Sequence, residues 1–306
     1  MHEIQLTGMD GGNFLGYLAA LGALRVLTLA EPDEKVRLSW RDEGWWMPAL
    51  HHSRIGAEED LVSALSGKVC PPDGGSAPLE NANPAFREDY LDESLLDYGE
   101  RLRASALDPR GREAADFFAA LGSDAFPETG KESPATTALR AIAGGNNAGF
   151  LGLMREIHTE THPEHLSKAL FKAWDYSDPP PFMRWDPNEY RPHALRATDP
   201  ARDRKQNNVR GANRLAIEAL PLFATVPGQR RIHTAAFGRQ DRQIIVTWPI
   251  WKEPLDLSVV ASLLVLDEVQ SADSATMARR CIAQVFRAER FTDGQYRNFS
   301  PARALI

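Results

Sequence analysis

The chain has 306 residues, of which 43% are hydrophobic and 25% are charged, and its formal net charge is −7. This composition is typical of globular proteins and excludes disorder as the general state of the chain. The overall negative charge argues against indiscriminate binding to nucleic acid or to anionic membranes.

We expect no targeting signal at the N-terminus. Residues 14–24 are mostly apolar, but Glu3 and Asp10 stand where a signal peptide has positive charge, and Arg25 interrupts the run. No stretch reaches the roughly 18 apolar residues of a membrane-spanning helix. Cys70 and Cys281 form no C-x-x-C motif, which favours a reducing compartment. We therefore expect a soluble, cytoplasmic protein with no membrane partner.

The first 50 residues predict a strand, a helix and a hairpin. Ile4 and Leu6 indicate a short strand, and Asn13 suits the N-cap of a helix with one buried stripe. Gly16 and Gly22 inside that helix indicate a close backbone approach to a neighbouring element. Val36–Trp40 alternates like a strand and turns towards a second strand. The stripe consists of Phe14, Tyr17, Leu18, Leu21, Leu24 and Leu27.

The remaining chain predicts a helical middle and a mixed C-terminal part. Residues 69–84 and 126–133 are rich in loop-forming residues, whereas 86–121, with a break at 108–111, has helical periodicity. Helices resume at Leu151 and over 166–174, and three prolines at 179–181 mark a boundary. A strand is predicted at Gln243–Trp248, followed by two helices over 256–270 and 274–290.

Together these elements predict an α+β fold, with short strands at both ends of the chain packed with a largely helical middle and two C-terminal helices. We divide the chain into an N-terminal α+β part (1–70), a mainly helical part (71–180) and a C-terminal part (181–306). A single domain that contains all three parts is the alternative.

Positive charge is concentrated in residues 182–242. From Arg184 to Arg242 there are twelve Lys and Arg against six Asp and Glu, which leaves 23 basic and 36 acidic residues elsewhere. Such asymmetry indicates a charged partner that meets one face of the molecule. Arginine suits phosphates and guanine edges, and Asn or Gln amides can pair with base edges. The candidate contacts here are Arg184, Arg196, Arg202, Arg204, Lys205, Gln206, Asn207, Asn208 and Arg210.

We expect residues 196–210 to form an exposed loop that contacts nucleic acid. In the competing interpretation, Asp186, Glu189, Asp199 and Asp203 neutralise these arginines in surface ion pairs. The excess of positive charge favours nucleic acid. Trp185 and Tyr190 could stack on a base or pack in the core, whereas Leu215, Ile217, Leu220 and Phe223 are expected to be buried.

Two further motifs have competing interpretations. In the Gly144–Gly149 stretch, main-chain N–H groups could approach a phosphate, with Asn146 and Asn147 in a DNA groove, although taken alone the stretch favours a flexible turn or a helix C-cap. His158 and His162 have helical i, i+4 spacing, and His165 follows, but Pro163 interrupts a helix where a third metal ligand would be needed. Surface histidines near a helix boundary are therefore the favoured interpretation. No nucleophile motif of the G-x-S-x-G type occurs.

Several stretches at both ends of the chain have a familiar pattern, whereas residues 70–140 do not. These stretches are Leu6–Gly8, Gly16–Leu27, Gly44–Trp46, Arg184–Pro187, Ala194–Arg196, Asp199–Pro200, Gly211–Ala216, Glu218, Leu220–Phe223, Trp248–Trp251 and Pro254–Leu255. Together they resemble a family of CRISPR-associated proteins, the smaller large-subunit-like component of type I-U (also called I-G) effector complexes.

The resemblance implies a subunit of a Cascade surveillance complex that has no catalytic activity, cofactor or metal of its own. Its partners would be the guide-RNA ribonucleoprotein, other Cascade subunits, target double-stranded DNA and a separate helicase-nuclease. In such systems, base pairing reads the target sequence while protein reads the protospacer-adjacent motif and the backbone. Two alternatives stay open: a structural subunit that contacts only guide RNA and its neighbours, and a metal-dependent nuclease that uses the histidines.

Overall fold

The N-terminal layer is a three-stranded antiparallel sheet with a helix packed against it. A computed structural model describes residues 1–79, 94–107, 112–127, 132–140, 149–189, 208–293 and 296–306. Strands β1 (His2–Gln5), β2 (Val36–Asp42) and β3 (Trp46–His52) pair in the order β1-β3-β2. The predicted first strand and hairpin are therefore confirmed.

Helix α1 (Phe14–Ala30) starts where the sequence predicts, because the side chain of Asn13 accepts a hydrogen bond from the Gly16 amide at 3.2 Å. Its burial goes beyond the predicted single stripe: every residue from Phe14 to Leu27 is buried. The helix is thus enclosed on all sides and forms the centre of the hydrophobic core.

Helix α7 (Arg210–Glu218) lies against α1 at very short range. A Cβ atom built on Gly22 would stand 1.8 Å from the Leu215 carbonyl oxygen, and one built on Gly211 would stand 2.1 Å from the His165 carbonyl oxygen. Only glycine permits such backbone contact. The close approach predicted for Gly22 is confirmed, and its neighbour is α7.

Helices dominate the middle of the described chain, as predicted. They are α2 (Glu58–Val69), α3 (Leu95–Ser105), α4 (Arg112–Leu121), α5 (Gly149–Thr159) and α6 (Pro163–Phe171). The prediction of a surface loop after α2 is partly wrong. Ser76 and Leu79 are buried, and Ala77–Leu79 forms a 3-10 turn. Within the described ranges, no helix combines the length and apolarity needed to cross a membrane.

The remaining described strands form a second antiparallel sheet and two small hairpins. They are β4 (Gly122–Pro127), β5 (Pro134–Thr136), β6 (Thr225–Pro227), β7 (Ile232–Thr234), β8 (Phe237–Gln240), β9 (Gln243–Trp251), β10 (Ile282–Asp293), β11 (Tyr296–Phe299) and β12 (Arg303–Ala304). The sheet has the strand order β11-β10-β9-β8, with β12 paired to β10, whereas β4 pairs with β5 and β6 with β7.

The predicted C-terminal helices are only partly correct. The first is divided into α8 (Leu257–Leu264) and α9 (Asp267–Ser271), and the second ends early as α10 (Ser274–Arg279). From Ile282 onwards the chain is the long strand β10, which pairs with β9 along its length. Pairing with that buried strand overrides the helix propensity of the local sequence.

The two main sheets are joined through α1 and two tryptophans. The indole of Trp248 donates to the Gly11 carbonyl oxygen at 2.8 Å, and the indole of Trp251 donates to the Leu38 carbonyl oxygen at 2.8 Å. Leu38 and Leu255 also exchange backbone hydrogen bonds. The architecture is α+β, with strands at both ends of the chain and helices in the middle, as the sequence predicts.

Candidate nucleic-acid interface

The first residues of the basic segment are anchored in the protein interior. Trp185 is fully buried and its indole donates to the Leu139 carbonyl oxygen at 3.0 Å, so it is a core residue. Arg184 is half-buried and has a left-handed backbone (φ 62°). Its guanidinium lies 5.2 Å from the Phe182 ring centre and donates to the Asn298 side-chain oxygen at 3.1 Å. Arg184 is thereby held against strand β11.

Two carboxylates expected in surface ion pairs are instead buried. Asp186 accepts hydrogen bonds from the Tyr176 hydroxyl and the Asn188 amide, both at 2.8 Å. Glu189 accepts one from the side chain of Asn213. Burial raises the pKa of Asp186, and burial together with the neighbouring Asp186 raises the pKa of Glu189 well above its usual value. Both carboxylates are thus held inside the fold rather than on the surface.

Asn208, expected on the exposed loop, has no exposed surface. Its amide nitrogen donates to the carbonyl oxygens of Pro179 (3.1 Å) and Pro181 (2.8 Å), and its oxygen accepts from Asn213 (2.8 Å). The backbone of Asn208 also exchanges hydrogen bonds with Asp178. The expected exposure of Asn208 is wrong, because the side chain is occupied in fixing the start of α7.

Arg210 is likewise buried, with 2% of its surface exposed. Its backbone amide donates to the Asp178 carboxylate (2.9 Å), and its guanidinium contacts the Pro179 carbonyl oxygen (3.1 Å) and the Glu160 carboxylate (2.7 Å). Arg210 therefore joins α7 to the end of α5, and its expected exposure is also wrong.

The other candidates named from the sequence lie outside the described residues. They are Asn146, Asn147, Arg196, Arg202, Arg204, Lys205, Gln206 and Asn207, together with Tyr190, Asp199 and Asp203. Leu215, Ile217, Leu220 and Phe223 are all fully buried, as predicted.

A buried ion network lies between α1 and α7. Glu218 contacts Arg214 at 2.7 Å and Arg25 at 3.3 Å, and all three side chains are almost completely buried. Burial alone would raise the pKa of Glu218, but the two arginines outweigh it and the pKa is lowered. The three groups hold a structural position in the core.

The three histidines do not share a helix face. His158 lies near the end of α5, whereas His162 is the N-cap of α6 and pairs with His165 in a capping box. Burial, reinforced by Arg214, lowers the pKa of His158 to about 4. Among the described residues there is no group of three or more His, Cys, Asp or Glu side chains that could hold a metal ion. The three histidines lie near helix ends, as predicted, but His158 and His165 are half-buried rather than on the surface.

Positive charge does converge at a different place, which we call the arginine cleft. This cleft has a volume of about 510 Å³. Residues of β8, β9, β10 and β11 in the second sheet line one part of it, and the hairpins β4–β5 and β6–β7 line the rest. Its basic lining residues are Arg230, Arg231, Arg239, Arg290, Arg297 and His233, and its wall includes the half-buried rings of Phe126 and Phe237.

Arg290 is a half-buried arginine in the wall of the arginine cleft. Its guanidinium donates to the Ala138 carbonyl oxygen at 2.8 Å, which uses one of five N–H groups. Burial, with the positive charges of Arg297 and Arg239, lowers the pKa of Arg290 to about 9. Desolvation is the larger cause, and the two neighbouring arginines add to it.

No Asp or Glu belongs to the described lining of the cleft. Over the described ranges, Arg230, Arg231, Arg239 and Arg290 also form no ion pair with a carboxylate. A half-buried guanidinium surrounded by further arginines is an arrangement suited to an anion with several oxygen atoms, such as a phosphate.

The cleft was not predicted from the sequence, although the basic segment includes three of its arginines, Arg230, Arg231 and Arg239. The Asn-rich stretch favoured residues 196–210 as the nucleic-acid contacts. Arg290 lies in a predicted helix, so its place on strand β10, paired with Ile244 of β9, was not evident from the sequence. The signal that was available is the charge of residues 230–242, which contain four arginines and one acidic residue.

No protein-family model matches this chain, and no curated protein sequence matches it.

Proposed function

We propose that this protein binds nucleic acid through the arginine cleft and acts by binding rather than by catalysis. The observation that carries the proposal is Arg290, a half-buried cation with Arg239 and Arg297 as neighbours and no carboxylate in the described lining. Placing like charges together in a concave, partly desolvated site is unfavourable unless a polyanion compensates them. Phosphate groups of nucleic acid supply that compensation.

The sequence resemblance supports a more specific proposal. The protein would be a subunit of a type I CRISPR surveillance complex that binds target duplex DNA, recognises the adjacent motif and assists strand opening. Its partners would be the guide-RNA ribonucleoprotein and neighbouring subunits, with cleavage left to a helicase-nuclease. What supports this proposal is the set of matching stretches at both ends of the chain, several of which form α1, α7 and β9.

The test is a titration of the purified chain against fluorescently labelled duplex and single-stranded oligonucleotides, read by anisotropy at 50 mM salt. The double variant Arg239→Ala/Arg290→Met should weaken binding at least tenfold. The double variant Arg103→Ala/Arg279→Ala removes the same charge from α3 and α10 and should bind like the parent. Thermal unfolding of each variant confirms that it is folded.

Binding that is absent in the parent, or equal in the parent and the cleft variant, would overturn the proposal. Copurification with guide RNA and partner subunits, without any cleft-dependent binding, would instead support the structural-subunit alternative.

A further inference from the structure

The arginine cleft combines charge with apolar surface. Besides its arginines, the described lining includes the rings of Phe126 and Phe237 and the side chain of Ile244. Duplex nucleic acid presents phosphates to a protein and keeps the faces of its bases stacked inside. A wall with aromatic and aliphatic side chains is therefore of little use to a duplex but matches an unpaired base.

The shape of the cleft leads to the same ligand. Proteins read a duplex by inserting a helix or a two-stranded ribbon into its groove, so the protein surface is convex at the contact. The arginine cleft is concave, and about 510 Å³ is the size of a site that encloses a small group. One or two nucleotides of an unpaired strand fit this description, and a double helix does not.

Charge continues beyond the enclosed part of the cleft. Arg230 and Arg231 are exposed at the turn between β6 and β7, and Arg239 is exposed on β8. A free nucleotide would need only the enclosed Arg290, whereas a strand carries further phosphates along its backbone. The exposed arginines lie where such phosphates would continue.

From these features we infer that the arginine cleft is a binding site for single-stranded nucleic acid, with a phosphate on Arg290 and an unpaired base against Phe126. This inference rests on the proposed function and names the ligand of the cleft as an unpaired strand, so that the duplex contacts of the more specific proposal would lie outside the cleft. Arg239, Arg230 and Arg231 hold the phosphates that follow. Base stacking and backbone charge together make the binding tolerant of sequence and sensitive to salt.

The experiment compares a labelled 15-nucleotide oligo-dT, the same length of oligo-U and a 15-base-pair duplex, each titrated with the full chain. The strands should bind at least tenfold more tightly than the duplex. Phe126→Ala should weaken strand binding about tenfold, Phe126→Leu less, and both should leave duplex binding unchanged. Leu96→Ala, an exposed apolar truncation on α3, serves as the matched control. A strand carrying 5-iododeoxyuridine should crosslink on irradiation to the peptide that contains Phe126.

The possible outcomes bear differently on the inference and on the proposed function. Duplex binding that equals or exceeds strand binding, and is lost in Arg239→Ala/Arg290→Met, overturns the inference and leaves the proposed function standing. Competition by thymidine monophosphate at the concentration at which oligo-dT competes would identify a nucleotide site and also overturn it. Absence of binding to every oligonucleotide overturns both, as does strand binding that no cleft variant changes. Oligo-dT and oligo-U bound equally would support the inference for both sugars.

Discussion

At the scale of single residues, the same side-chain types serve opposite purposes according to burial. Arg210 and Arg214 are buried and contact Glu160 and Glu218, so their charges are neutralised inside the fold. Arg290 has a carbonyl partner and two positive neighbours. A count of basic residues therefore overstates the charge available to a ligand.

Glu189 should make stability depend on pH. Burial and the neighbouring Asp186 raise the pKa of Glu189 in the folded state above its value in the unfolded chain. The contribution of the protonated side chain to the free energy of unfolding is therefore complete below the unfolded pKa, and it is lost as pH rises through the folded pKa. Glu189→Gln keeps an acceptor for Asn213 and removes the charge. The variant should exceed the parent in free energy of unfolding by a margin that grows above pH 4.5, measured by urea denaturation from pH 4 to 9. A constant margin across this range would contradict the assignment.

Glu218 should be far more important for stability than an exposed carboxylate. Glu218→Ala leaves Arg25 and Arg214 buried without their shared partner, which should lower the free energy of unfolding by about 3–5 kcal/mol. Chemical denaturation at pH 7 measures it. The matched control is Glu268→Ala, which breaks the exposed pair with Arg280 and should produce no measurable change. Equal effects of the two substitutions would show that the buried network contributes nothing special.

At the scale of elements, the contact between α1 and α7 organises the fold. Gly22 brings the two backbones together, and the ion network of Glu218 lies in the same interface. The other end of α7 is fixed by Asn208 and Arg210. These interactions explain why the Gly211–Glu218 stretch is rich in polar residues and yet buried.

Gly22→Ala should be strongly destabilising, because its Cβ would meet the Leu215 carbonyl oxygen at 1.8 Å and the helices would have to separate. We expect a loss of about 1–3 kcal/mol or more, as for other overpacked cores. Gly67→Ala in α2 is the control, since nothing lies within 4 Å of its added Cβ, and it should be neutral or raise stability by up to about 1 kcal/mol. Thermal unfolding of the two variants distinguishes them, and a stable Gly22→Ala would refute the close packing.

At the scale of the whole molecule, the chain has a formal net charge of −7, and the arginine cleft is a local concentration of positive charge within it. A net negative charge disfavours indiscriminate binding of polyanions, whereas a local concentration of arginine attracts them. Specific binding through the arginine cleft is therefore compatible with an acidic chain, and it predicts a limited dependence on salt.

The number of arginines in the cleft limits that dependence. If Arg230, Arg231, Arg239 and Arg290 each contact one phosphate of a single strand, the logarithm of the binding constant should fall against the logarithm of salt concentration with a slope of about −2.8 at most. Titrations between 50 and 200 mM salt give this slope, and Arg239→Ala should make it shallower by about 0.7. A slope steeper than about −5 would require contacts outside the cleft.

The sequence by itself determined those features that depend on neighbouring residues. The N-cap at Asn13, the hairpin of β2 and β3, strand β9 and the burial of Leu215 and Ile217 all follow from local patterns of polarity and turn chemistry. The class of fold follows from the order of these elements.

Only the tertiary structure decided which charges face solvent and which segment after Arg279 is a strand. Residues 282–290 could form a helix or a strand, and pairing with β9 selects the strand. The cleft unites side chains from Phe126 to Arg297, and Asn208 is buried by carbonyl groups some 27 residues before it. Such contacts join positions that no local pattern relates, because burial and pairing are properties of the assembled chain.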